Sequence, residues 1–436
     1  MVYGLRMISE VTGLGLVGDV SDETRGDLRE ALLYSAATFS VYQQAFASLG
    51  ISRGDILRRD PMSVLRSLPL LDADGFQYLS DQSVRVGNQI VDLETSSGTT
   101  GSRKRRFISY EDDVSDHDFL ARLFAVSGIG PQDRVACLDT DPVNLMASFT
   151  SAFDLLGVEE AYMFCVGPDF DRALGSIPAL DPTVIVTVPS ILERCFDTLA
   201  RLHAAADSPA LRTVIYVGEP AAPSLRSRLE ATLGVEVFGY YGASETSALG
   251  IECSAHNGIH LFTDRNVVEV IPEGSSGTSG EIVVTTLNQR TLPLLRYPLG
   301  DRIEVLRGQC ACGLAFPRVD VQGRVGDSFS VMGSKLGYRA LLSAIYDGED
   351  SPGPMQLVLS RETSEKLTIV LPESMRRREA AIMDSLFDGE PDLDFLVESK
   401  YLKLELSFVD ADYFRASRKV TGVVDLRESS DDRVPG

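Results

Sequence analysis

Between residues 90 and 245 the chain alternates short apolar runs with amphipathic stretches, and no other feature constrains its fold as tightly. RVACLD, EEAYMFCV, PTVIVTVP, LRTVIYVG and VEVFGYYG are rich in Val, Ile and aromatic residues and have the length of strands. PVNLMASFTSAFDLLG, PSILERCFDTLARLHAAA and APSLRSRLEATLG lie between them with apolar residues at helical spacing. Parallel neighbours need a crossover long enough to hold a helix, so this order predicts an α/β layer with mostly parallel strands. Upstream, DETRGDLREALLYSAATFSVYQQAFASLG reads as helices stopped at Gly50, followed by the Pro-punctuated RRDPMSVLRSLPLLDADGF. Beyond residue 250, NVVEVIPEG, SGEIVVTTL, LPLLRYPLGDRIEVL and PRVDVQG read as short strands of an antiparallel or barrel-like portion. QLVLSRETSEKLTIVLP, MRRREAAIMDSLFDG and KLELSFVDADYF then give strand, strand, helix and strand, a compact α+β domain, and the tail ESSDDRVPG reads as disordered.

A chain of 436 residues exceeds one ordinary core, so two or three domains are expected. The formal charge of −22 argues against a nucleic-acid binder, which needs Lys/Arg surfaces to neutralise phosphates. The sequence has no run of about eighteen apolar residues, and MVYGLRMISEVTGLGLVGDV makes a poor signal peptide, so no membrane association and a cytoplasmic location are expected. Six cysteines in such a chain do not suggest a disulfide framework. Cys137, Cys165 and Cys195 lie in apolar surroundings and read as buried thiols, whereas Cys253, Cys310 and Cys312 occupy polar, Gly-rich contexts.

In so acidic a chain a local basic cluster needs a reason. Ser96-Ser97-Gly98-Thr99-Thr100-Gly101-Ser102-Arg103-Lys104 follows the strand-like IVDLET and precedes FISYEDDVSDHDFLARLF, a strand end and then a helix. Its glycines let the backbone approach a polyanion, its hydroxyls and N–H groups donate to phosphate oxygens, and Lys104 adds charge. Arg105 and Arg106 read as solvated neighbours of Lys104. A flexible Ser/Thr/Gly surface loop with a basic tail has the same composition. The spacing is neither that of a Walker loop nor G-x-G-x-x-G.

The run resembles the nucleotide loop of the adenylate-forming (acyl-activating) superfamily, [ST]-[ST]-G-[ST]-T-G-x-x-K, and further segments resemble that family's motifs in the family's order. Gly239-Tyr240-Tyr241-Gly242-Ala243-Ser244-Glu245 resembles Y-G-x-[ST]-E, which implies Tyr241 on the adenine face, Ser244 at a phosphate, and Glu245 with Thr100 on Mg²⁺. Gly218-Glu219-Pro220 lies where the family flanks the adenine ring. Arg296-Tyr297-Pro298-Leu299-Gly300-Asp301 resembles R-Y-x-[TR]-[GR]-D, whose aspartate accepts from both ribose hydroxyls; Leu299 stands where the family usually has a polar residue. Gly323-Arg324-Val325-Gly326-Asp327 resembles the domain junction G-R-x-D-[DE], with Arg324 on ribose or phosphate and Gly326 in place of the hinge aspartate. Gly333 falls at a glycine loop lining the family's thiol tunnel. Ser417-Arg418-Lys419-Val420 leading into GVVDLR resembles the end of phenylacetate–CoA ligase-like proteins, with Lys419 as the catalytic lysine and Asp425 and Arg427 in the tail of the motif.

Glu252-Cys253, Gly258-Ile259-His260 and Cys310-Ala-Cys312-Gly313 match a Cys/His pattern of some proteins in that branch, and the set Cys253, His260, Cys310 and Cys312 suits a structural Zn²⁺, with His260 preferred to His256. Unpaired cysteines beside a surface histidine are the plain alternative.

The resemblance spans nearly the whole chain. It implies an α/β fold with a large multi-layer N-terminal adenylation domain, residues 1–325, holding parallel sheets and a barrel-like portion. A small mobile α+β C-terminal domain, residues 326–436, carries the lysine. The implied reaction is ATP-dependent conversion of a carboxylic acid, aryl or medium-sized, to an acyl-adenylate, with transfer to coenzyme A or a carrier-protein phosphopantetheine. Lys419, Glu245 and Lys104 are the implied catalytic residues. The acyl pocket is expected from Tyr240, Gly242 and Ala243 and, on the helix PVNLMASFTSAF, Asn144 and Phe149. A small-molecule acid, an acyl carrier protein and a second copy of the chain are the partners this reading admits. Transfer to an amine or hydroxyl, ring closure without a thiol, a non-catalytic nucleotide-binding relative, and a zinc-stabilised interaction module are the other readings.

Overall fold

The computed structural model describes residues 14–84, 86, 89–95, 105–139, 143–165, 174–205, 210–218, 221, 223–273, 278–324, 328–331, 334–346, 353–361, 365–398, 400, 402–410, 413–414 and 422–426. The chain divides between Gly323 and Arg324 into two compact units.

The strands of the first unit are β1 Gly15–Leu16, β2 Ile90–Thr95, β3 Arg105–Ser109, β4 Arg134–Asp139, β5 Glu160–Cys165, β6 Val184–Thr187, β7 Thr213–Tyr216, β8 Glu236–Ala243, β9 Ser247–Glu252, β10 Ile259–Leu261, β11 Asn266–Pro272, β12 Ser279–Thr286, β13 Tyr297–Leu306 and β14 Arg318–Arg324, the last residue of which falls in the second unit. Twelve of them form one sheet in the order β1-β11-β12-β13-β14-β10-β9-β8-β7-β6-β4-β5, while β2 and β3 pair as a separate antiparallel hairpin. β5, β4, β6, β7 and β8 are parallel; β8 then pairs antiparallel with β9, where the two textures read from the sequence meet.

The inner parallel strands β4, β6 and β7 are buried on both faces, which accounts for their apolar, Val/Ile-rich content. Val135, Cys137, Val184 and Val186 face a core with Phe119, Phe124, Phe149 and Phe153 from the helices Tyr110–Val126 and Val143–Leu155. Their neighbours Ala136, Leu138 and Ile185 face a second core with Ile191, Leu192, Leu225 and Leu229 from the helices Pro189–Ala205 and Pro223–Leu233. The two-residue strand period thus sorts one segment between two helical layers. Ser109 caps the helix Tyr110–Val126, accepting from the Asp112 N–H at 3.3 Å, and Glu111, Asp112 and Asp113 favour its first turn.

The N-terminal helices pack on β11, β12 and β13 in a third core. LPLLRYPLGDRIEVL does not run as one strand: β13 begins at Tyr297, because Leu292, Leu294 and Leu295 are buried in an irregular segment and Arg296 adopts φ 54°. The Arg296 guanidinium meets buried Glu269, Nε to Oε2 at 3.0 Å, and its Nη1 donates to the Leu68 carbonyl at 2.6 Å. Arg296 therefore anchors the helical segment to the sheet.

The second unit holds the hairpin β15 Ser328–Val331 and β16 Ser334–Gly337 and a sheet of β17 Gln356–Arg361, β18 Glu365–Pro372, β19 Leu402–Val409 and β20 Gly422–Asp425 in the order β19-β18-β17-β20. The helices Tyr338–Ile345, Glu379–Gly389 and Pro391–Glu398 cover a core of its own, with Leu341, Leu357, Leu367, Ile369, Leu386 and Leu393. The tail expected to be disordered lies outside the described residues, as does the Cys165 side chain; Cys137 and Cys195 are buried thiols.

Candidate active site and metal centre

β8 runs past the carboxyl end of the parallel layer into its hairpin with β9. Its register shifts between Tyr241 and Gly242, and a Cβ on Gly242 would lie 2.7 Å from the Ser247 carbonyl oxygen, so a side chain there would prevent the two strands from closing. The Ala243–Ser247 pair closes a three-residue loop, Ser244-Glu245-Thr246, with Ser247 at φ 63°, a common hairpin geometry. Ser244 is exposed and the Glu245 side chain is buried.

Tyr240 and Tyr241 are consecutive on β8 and point to opposite faces. Tyr240 is half-buried, stacked 6.3 Å from Phe124 and edge-on to Phe149 at 6.2 Å, which brings two of the expected acyl-site residues together. Burial, then the carboxylates of Glu94 and Asp116, hold its phenol above the usual tyrosine range. Tyr241 enters the core under the N-terminal helices, and its hydroxyl donates to Asp301 Oδ2 at 2.8 Å. Two motifs sixty residues apart therefore meet. Leu299 and Asp301 lie on one face of β13, with Leu299 in that same core, which is the physical reason for an apolar residue at 299.

Gly218 follows β7 at φ 75°, at the strand ends where open α/β sheets take ligands. Glu219 and Pro220, the loop Ser96–Lys104 with Thr100, the residues Val325–Asp327, Gly333, Lys419 and Arg427 lie outside the described residues, as do the side chains of Asn144, Arg324 and Asp425.

Arg105 and Arg106 were expected as solvated neighbours of Lys104, and Arg106 is not one. It is 3% exposed, with Nη1 at 3.2 Å from Glu94 Oε2 and Nη2 at 2.6 Å from Asp116 Oδ2. Arg105 is exposed and pairs with Asp81. The strand period decides between them: on β3, Arg106 and Ile108 turn inward and Arg105 outward. Glu94 and Asp116 had not been singled out from the sequence, nor had a buried place for Arg106; the alternation in RRFIS was the available signal.

The cysteine–histidine set gathers from three places. Cys253 follows β9, His260 lies in β10, and Cys310 and Cys312 lie in the connection between β13 and β14. Their ligand atoms all fall within 4.8 Å of one another. Cys253 Sγ to Cys310 Sγ is 3.6 Å and Cys312 Sγ to His260 Nε2 is 3.4 Å. A disulfide would need about 2.05 Å, whereas a tetrahedron with metal–sulfur bonds of about 2.3 Å has edges of about 3.8 Å, close to these distances. His260 is fully buried, and its Nδ1 lies 3.1 Å from the Phe316 carbonyl, so an Nδ1–H donated there leaves Nε2 to the sulfurs. The Cys312 N–H pulls the Cys310 thiol down to about 6, and burial pushes Cys253 up to about 12. His256 is engaged elsewhere, packed on Phe238 at 5.1 Å with Nδ1 at 3.2 Å from Arg226 Nη1.

Residues 85–283 match the family model described as AMP-binding enzyme. The chain resembles the phenylacetate–CoA ligase-like branch of the adenylate-forming superfamily, and relatives and fold agree with its motifs. The chain is 26% identical over 322 residues to the indoleacetate–lysine synthetase of Pseudomonas savastanoi, covering 70% of this chain and 76% of that protein. It is 25% identical over 322 residues to the phenylacetate-coenzyme A ligase of Escherichia coli (strain K12), covering 70% of this chain and 71% of that one. Among solved structures it is similar to 2-hydroxyisobutyryl-CoA ligase in the postadenylation state in complex with R3-HIB-AMP, with a TM-score of 0.70 at 18% identity over 94% of this chain and 91% of that chain, a likeness of fold. No described helix of the chain is long and apolar enough to cross a membrane.

Proposed function

We propose that the chain activates a carboxylic acid with ATP and transfers the acyl group to a thiol, that of coenzyme A or of a carrier-protein phosphopantetheine. The observation that supports this reading is the Tyr241–Asp301 hydrogen bond, which joins two segments that resemble nucleotide motifs, beside the carboxyl ends of the parallel strands. Asp301, oriented by Tyr241, accepts from the ribose hydroxyls. Gly218, Glu219, Pro220, Tyr240, Tyr241, Gly242 and Ser244 surround the base and α-phosphate, with Arg324 a further contact. Ser96, Ser97, Gly98, Thr99, Thr100, Gly101 and Lys104 hold the β- and γ-phosphates. A carboxylate oxygen of the acid attacks the α-phosphorus, the bridging oxygen leaves with pyrophosphate, and Lys419 stabilises the charge that develops. A thiolate sulfur then attacks the acyl carbon and AMP departs.

Glu245 is a buried carboxylate in a hairpin loop, a hard oxygen donor that fits Mg²⁺ together with the Thr100 hydroxyl; when bound, the ion offsets the phosphate charge. Cys253, His260, Cys310 and Cys312 fit a Zn²⁺ that fills all its positions with protein ligands, a structural role. Tyr240, Gly242, Ala243, Asn144 and Phe149 line the acyl site.

Carboxylate-dependent exchange of labelled pyrophosphate into ATP tests the first step over a panel of acids. Exchange with at least one acid is expected, and a native protein that binds ATP yet exchanges with none ends the reading. The relative named indoleacetate–lysine synthetase supports a second reading, transfer to an amine. Coenzyme A, lysine and hydroxylamine offered to the same reaction separate the two by the product formed.

A further inference from the structure

Arg106 and the carboxylates around it form a buried charge cluster to which the reaction above gives no step. Asp116 Oδ2 takes Arg106 at 2.6 Å, and Oδ1 lies 3.9 Å from Arg265 Nη2, so this carboxylate is shared between two guanidinium groups. Glu94 meets Arg106 through Oε2 at 3.2 Å, with its side chain 21% exposed. Tyr240 stands next to this cluster: its ring stacks on Phe124, two helical turns beyond Asp116 on the same helix, and it is edge-on to Phe149. Its hydroxyl lies 3.0 Å from the position a Cβ on Gly242 would take, at the hairpin that presents Glu245. Among the described residues that hydroxyl has no hydrogen-bond partner. The charges acting on it are, in order, Glu94, Asp116 and Arg106, so the surroundings favour a hydrogen-bond donor approaching the phenol oxygen.

A purely hydrocarbon acyl group placed against Tyr240 would take water from the hydroxyl and return nothing, whereas a donor on the substrate satisfies it. We infer that the acyl site selects acids whose distal group donates a hydrogen bond, such as aryl acids bearing a ring hydroxyl, amino or ring N–H group, and that Tyr240 determines this specificity. The inference rests on Tyr240 lining the acyl site as proposed above.

Matched acids test it: 4-hydroxyphenylacetate and 4-aminophenylacetate against 4-methylphenylacetate, which has the shape and lacks the donor. Binding to the full chain is measured by calorimetry in the presence of AMP, and kcat/KM by pyrophosphate exchange. Preference for the donor-bearing acids by about tenfold is expected, the value of one satisfied hydrogen bond. Tyr240→Phe should reduce the ratio to about twofold with an unchanged melting temperature, moving KM more than kcat. Equal binding of the methyl and donor-bearing acids by the unaltered protein overturns the inference, as does a ratio that Tyr240→Phe leaves in place. Preferential binding without exchange supports the polar pocket and counts against the proposed reaction, so the two failures are told apart.

Discussion

Asp301 accepts the Tyr241 hydroxyl through Oδ2, so Asp301→Asn can keep that bond while one acceptor of an acceptor-only group becomes a donor. A raised KM for ATP, by about tenfold, with little change in melting temperature is the expected result, read from initial rates at varied ATP. An unchanged KM would remove Asp301 from the nucleotide site. Arg106 predicts the opposite pattern. Arg106→Met leaves the Glu94 and Asp116 carboxylates without the cation they share, a loss of about 3–5 kcal/mol by urea unfolding. Burial raises the Glu94 carboxyl above its ordinary range and Arg106 opposes that rise. With the folded pKa above the unfolded one, the folded chain binds the proton more tightly, so ionised Glu94 costs stability and the cost fades as pH falls through that window. The Arg106→Met deficit should therefore shrink on acidification; a deficit constant with pH would mean the carboxylates do not carry it. The contact of Asp301 with the Tyr241 motif was within reach of the sequence, because each residue lies in a segment resembling a fixed motif. Arg106 was not, because four cations in one run look alike until the β3 period turns one of them inward.

The connection between β13 and β14 carries Cys310 and Cys312 to the β9–β10 hairpin, so an ion held by all four ligands would bind two long connections of the sheet together. Purified native protein should contain about one Zn²⁺ per chain, and Cys310→Ser should lower the melting temperature by about 5 °C or more while reducing metal content. Metal-free protein of full stability would end the proposal. Sequence spacing assembled the candidates and the family resemblance preferred His260 to His256, yet the Phe316 carbonyl beside the imidazole was invisible, since backbone acceptors leave no residue signature. The inner parallel strands were legible because their burial on two faces favours Val/Ile runs. The helix Pro391–Glu398 and the hairpin of β15 and β16 were not, being short segments in which Pro, Asp, Gly and Ser read as turns.

At the scale of the whole chain, the described residues on either side of the Gly323–Arg324 boundary have separate cores: three clusters within residues 17–319 and one within residues 336–402. Each unit buries its own apolar surface, so a chain ending at Gly323 should fold. It retains Tyr241, Asp301, Glu245 and the proposed phosphate-binding residues Ser96 to Lys104, and lacks Lys419. The truncated protein and the full chain are therefore both expected to gain thermal stability on adding AMP, through binding that favours the folded form. It should also lose carboxylate-dependent pyrophosphate exchange. Lys419→Ala in the full chain separates the lysine from the rest of the second unit: exchange should fall by about a hundredfold or more, the scale for removing one electrostatic contact to a transition state, while the AMP-induced stabilisation persists. A truncated protein exchanging at the full rate would place all the chemistry of adenylation in the first unit and strip Lys419 of its role. Loss of exchange on truncation but not in Lys419→Ala would assign that role to another residue beyond Gly323.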